Sequence, residues 1–104
     1  MTGTVIIRAP QSGLSLVILE SMRAELAACG LSGTLYIGEA HGQPDLLALM
    51  WMEGNQPVLM GVPKVRFTDP ASASLIAGEF ADQVLATRKP LPPEPQGDDF
   101  DYRQ

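Results

Sequence analysis

"LLALMWMEGNQPVLMGVP", Leu46–Pro63, is the most apolar part of the chain and falls into two runs parted by "EGNQ". Each run has the length and bulk of a buried strand, and a four-residue loop at Glu53–Gln56 suits a hairpin between them. In a strand, successive side chains face opposite sides. The first run therefore splits into Leu47, Leu49 and Trp51 on one side and Leu46, Ala48, Met50 and Met52 on the other. The second splits into Val58, Met60 and Val62 against Leu59 and Gly61. Neither side of either strand is polar, so the fold turns on what covers the two faces.

Working outward, "TVIIR" (Thr4–Arg8) is a short β-branched run closed by Ala9-Pro10 and reads as a first strand. After the loop "APQSG", Ser12 or Ser15 is placed to cap a helix that runs to about Cys29. On a 3.6-residue period Leu14, Ile18, Met22, Leu26 and Cys29 form its apolar stripe, and Gly30 stands where a left-handed C-cap belongs. "GTLYIGE" reads as a second strand and "AHGQPD" as a loop. Downstream of the hairpin, "KVRF" alternates Lys64 and Arg66 with Val65 and Phe67, the pattern of a blunted edge strand. "TDPASASLIAGEFADQVLATR" is the clearest helix. Thr68 or Asp69 caps it, Pro70 takes its first turn, and Ala73, Ile76, Ala77, Phe80, Ala81 and Val84 form the buried face.

The order β-α-β-β-β-α predicts an α+β two-layer sandwich, with a mixed sheet of about four strands and two helices. At 104 residues the chain has room for one domain, expected over 1–89. Residues 90–104 read as a Pro-rich acidic tail. They hold Glu94, Asp98, Asp99 and Asp101 against Arg103, a charge of −3 out of the chain's −5. Phe100 and Tyr102 among those acids suggest a segment able to dock on a basic partner.

Composition narrows the function. An excess of acid over base argues against a nucleic-acid partner, which needs clustered Lys and Arg. The longest strictly apolar run is seven residues, Leu46–Met52, far short of the ~20 of a spanning helix. No signal-peptide pattern opens the chain. One cysteine, Cys29, allows neither an internal disulfide nor a multi-cysteine metal site, and a cytoplasmic location is the default expectation. No cofactor motif is present.

Two function classes follow. Two helices of this size cover one face of a four-stranded sheet. The other face is then left with Ile6, Tyr36, Leu46, Met50, Met52 and Leu59, enough to reach the roughly 300–600 Å² of the largest apolar patch on a typical monomer. That predicts a non-catalytic binding or assembly module that pairs with itself or joins a larger complex. The competing arrangement places one helix on each face, since strands buried on both sides also read as continuous apolar runs.

The second class is a small enzyme or anion binder. A crossover through the first helix makes the first two strands parallel. It brings Arg8, Gln11, Ser12, Gly13 and Ser15 toward Glu39 and His41, at the strand ends where open sheets bind ligands. Ser12 and His41 are then the candidate catalytic pair. Capping alone accounts for serine at this place, and no nucleophile-elbow pattern surrounds it. Glu39, His41 and Asp45 are too few and too oxygen-rich for a zinc site. Ser32 precedes the second strand and His41 follows it, more than ~20 Å of extended chain apart. Cys29 at a helix C-terminus faces the negative end of the dipole and reads as an inert thiol. Trp51 reads as core or interface, Glu25 as a boundary residue, and Gly61 as a bulge or a close approach.

Overall fold

The computed structural model describes residues 3–88. They form an α+β two-layer fold in the order β1 (Val5–Arg8), α1 (Leu16–Ala28), β2 (Gly33–Ala40), β3 (Gln43–Glu53), β4 (Gln56–Pro63), a 3-10 turn (Lys64–Arg66) and α2 (Pro70–Arg88). The sheet order is β1-β2-β3-β4; β1 and β2 are parallel, and the remaining pairs antiparallel. The expected acidic tail at 90–104 lies outside the described residues.

The helices begin and end where local chemistry directs. Ser15 caps α1 by accepting from the Ile18 N–H at 3.3 Å. The helix closes with the paired bonds of a Schellman motif, Gly30 N–H to Ala27 C=O and Leu31 N–H to Leu26 C=O. Gly30 supplies the positive φ, 85°, that this closure requires. Asp69 caps α2, accepting from the Ser72 N–H at 2.7 Å, and this bond holds its carboxyl below the ordinary range. The six residues expected on the inner face of α2 are all buried.

Both helices lie on one side of the sheet. Burial alternates along every strand: Val5; Leu35 and Ile37; Leu47, Leu49 and Trp51; Val58 and Val62 form the core layer with Met22, Leu26, Ile76 and Phe80. α1 packs on α2 and β1, and α2 reaches β3 and β4. The alternative with one helix per face is thereby set aside.

Three local expectations are corrected. "AHGQPD" is not a loop: β2 turns back at His41-Gly42, with Gly42 at φ 76°, and β3 begins at Gln43. Pro44 is tolerated because the β2–β3 register shifts there, so that stretch of β3 has no regular ladder to break. The β3–β4 loop is two residues, Gly54-Asn55, because Glu53 and Gln56 pair with each other. Gly54 at φ 62° supplies the handedness of a tight hairpin. "KVRF" is not an edge strand. β4 pairs with Leu46 at Pro63, and the chain then curls into the 3-10 turn, which drops Phe67 into the core.

Trp51 ties the layers together. Its ring lies over the backbone of Gly33, where a Cβ would stand 2.8 Å from it. Its Nε1–H donates to Glu53 at 3.1 Å, and Glu53 in turn accepts from Arg88 at the last turn of α2.

Candidate interaction surface

The register of the ladders lays out, row by row, the sheet face that no element among the described residues covers. Ile6 lies beside Thr34, and Met52 lies beside Pro57, at one end of the face. Arg8, Tyr36, Met50 and Leu59 form the next row. Gly38, Ala48 and Gly61 follow, then Leu46 beside Pro63. The six apolar residues expected on the outer side therefore share one face. Tyr36 and Met50 are directly cross-strand, as are Met50 and Leu59.

Four of them remain open to water side by side on this one face: Ile6 52%, Tyr36 43%, Met52 47% and Leu59 61%. Leu46 and Met50 are half-buried among their neighbours. The face carries no acid, and Arg8 at its β1 edge is its single charged side chain among the described residues. Pro57 and Pro63 bracket the free edge of β4. Each removes a backbone donor that an added strand would use, so this edge is poorly suited to extension.

Nothing local in the sequence marks Gly38, Ala48 and Gly61 as one row. Gly61 forms no bulge: it pairs with Ala48 inside an unbroken β3–β4 ladder. A Cβ there would only touch the Leu46 side chain, at 3.5 Å, and a Cβ on Gly38 would meet nothing. The three positions form a shallow furrow beside the Tyr36–Met50–Leu59 ridge.

The candidate catalytic residues are arranged otherwise. Parallel β1 and β2 do bring the β1–α1 loop beside the end of β2, and Gln11, Glu39 and His41 line a cleft there of about 380 Å³. Arg8, Ser12 and Gly13 are not part of its lining. Ser12 is buried, 2% exposed, and its hydroxyl is fully engaged: it donates to Ala9 C=O at 3.3 Å and accepts from Leu14 N–H at 3.2 Å. It is a turn-forming serine, and its hydroxyl's hydrogen bonds go to Ala9 and Leu14 of its own turn, not to His41. Glu39 is held by Lys64 at 2.8 Å. Among the described residues no group of three His, Cys, Asp or Glu side chains is placed to hold a metal.

A second, larger groove runs between α1 and α2, lined by Glu25, Cys29, Leu75, Gly78, Glu79 and Asp82. Burial, then the charges of Glu25 and Asp82, push the Cys29 thiol above its ordinary range, which disfavours the nucleophilic thiolate. Glu79 is neutralised by Arg66 at 3.3 Å. No helix of the described residues is long and apolar enough to cross a membrane.

No protein-family model matches the chain, and neither a curated protein nor a solved structure matches it.

Proposed function

We propose that this chain is a non-catalytic assembly module that associates through the uncovered face of its sheet, as a homo-oligomer or as a subunit of a larger complex. One observation carries the reading. Ile6, Tyr36, Met52 and Leu59 stand 43–61% exposed on a single face that neither helix reaches. Water contact with such a surface is costly at ~25 cal/mol per Å². A sheet face against another sheet face is the common way to remove it. The bracketing prolines of β4 steer association toward the face and away from the edge.

Sedimentation equilibrium of the purified chain tests this. The expected result is a mass above the monomer that rises with concentration, and weaker association for Met50→Lys, which places a charge mid-face. A monomer throughout the micromolar range removes self-association.

A second reading, a small-molecule site, is favoured by the cleft that Gln11 and His41 share at the β2–β3 turn. With Ser12 committed to its turn, binding and not hydrolysis is what this cleft supports. Titration with inorganic phosphate, followed by the His41 ring signals, tests it; unmoved signals at millimolar phosphate exclude an anion site.

A further inference from the structure

The uncovered face has a relief that is complementary to itself. Tyr36, Met50 and Leu59 form a ridge across β2, β3 and β4. Two residues along each strand, Gly38, Ala48 and Gly61 form a furrow across the same three strands. We infer that the occupant of this face is a second copy of the chain, related by a two-fold axis that runs across the strands midway between ridge and furrow. The inference rests on the proposed assembly role and specifies its geometry.

In a face-to-face pair the two-fold axis lies in the plane between the sheets. If it runs along the strands, each ridge meets its own copy and the furrows enclose a void. If it runs across the strands between the two rows, rotation carries ridge onto furrow on every strand. Tyr36 then faces Gly38 of the second copy, Met50 faces Ala48, and Leu59 faces Gly61, each contact occurring twice. Large faces small in these two central rows, and the outer rows set Met52 opposite Leu46 and Pro57 opposite Pro63. The central match allows the two sheets to approach the ~10 Å separation of packed β-layers. At ~4.8 Å between strands and ~6.8 Å between successive outward residues, the face spans roughly 500 Å² in projection. Side-chain relief raises its accessible area toward the ~800 Å² per partner of a standard stable interface. The near absence of charge from the face suits a copy of itself, because a two-fold axis sets like against like near its centre.

An exchange of sizes on β3 tests the geometry by sedimentation equilibrium. Ala48→Met fills the furrow and should raise the dissociation constant at least tenfold. Ala48→Met with Met50→Ala moves the ridge to position 48 and the furrow to position 50. In the inferred pair large again faces small, and affinity should return to within about threefold of the unmodified chain. If the single change has no effect, or the double change binds no better than the single, the two-fold geometry is overturned while face-mediated association stands. If the unmodified chain does not associate, the two-fold pair and self-association both fall. A measurement on the unmodified sequence guards against a variant that fails to fold. In a mixed-isotope dimer, intermolecular NOEs should join the Tyr36 ring to Gly38 Hα and the Met50 methyl to the Ala48 methyl. A stable dimer without them overturns the inference.

Discussion

Leu59 separates association from folding. It sits mid-way along β4, 61% exposed, opposite Met50 and on the side of the sheet away from both helices. Full burial of a leucine side chain is worth about 1.5–3 kcal/mol, so burying the part now open to water contributes about 1–2 kcal/mol per copy. A symmetric pair buries it twice, giving about 2–4 kcal/mol per dimer. Leu59→Thr removes most of that while keeping a residue that strands accept. The dissociation constant should rise roughly 30- to 1,000-fold at 1.4 kcal/mol per decade. Folding of the separate chain should hardly respond. The side chain contributes little to the helix-side core, and exposed substitutions usually shift stability by no more than ~0.5 kcal/mol. Sedimentation velocity over a concentration series measures the first quantity, and urea unfolding below the dissociation constant measures the second. Unchanged association by Leu59→Thr, or a large loss of monomer stability, would refute the reasoning.

Other outcomes follow from the interior. Leu49→Ala, at a fully buried position two residues from Trp51, should cost about 2–5 kcal/mol in urea unfolding. Gly33→Ala should destabilise by at least about 1–3 kcal/mol, because its Cβ meets the Trp51 ring at 2.8 Å and its φ of 151° suits glycine. A value near zero would mean that the ring moves freely. Ser12→Ala should cost about 1–3 kcal/mol by leaving the half-buried Leu14 N–H without its acceptor, and should leave any phosphate effect at His41 intact. Glu53 titrates below its ordinary value of 4.5, first through its hydrogen bonds from Arg88 and further through that from Trp51, against an opposing effect of burial. A depressed folded-state pKa contributes stability that is complete above that ordinary value and is lost as pH falls through the lowered one. The unfolding midpoint of the unmodified chain should therefore drop on acidification more steeply than that of Glu53→Gln. Parallel profiles would show that the carboxylate is not the linked group.

What was legible in the sequence was whatever depends on neighbours along the chain. Ser15, Gly30 and Asp69 mark helix ends through bonds that span three to five residues, and the buried stripe of α2 follows from its own period. The two-layer arrangement was legible because both sides of β3 and β4 are apolar and two helices are too few to shelter them. Pro44 misled, since its usual role as a breaker fails where a register shift has already freed the ladder. "KVRF" misled because alternation also fits a single 3-10 turn followed by an inward Phe67. The furrow was illegible for a different reason. Gly38, Ala48 and Gly61 are 10 and 13 residues apart, and they become one feature only once the β2–β3 and β3–β4 registers are known. The Ser12–His41 pairing failed at the scale of single bonds. Topology brought the two loops to the same end of the sheet, but Ser12 spends its hydroxyl on its own turn.

The placement of Trp51 makes the chain its own optical instrument. It is the only indole in the sequence, sealed beneath Gly33 on the helix side, while the ridge and furrow lie on the opposite side of the same strands. Its emission should therefore shift to the red when the core opens, and stay constant when two copies meet or part. A dilution series followed by that emission alone reads out folding without contamination from self-association, and no extrinsic dye is needed.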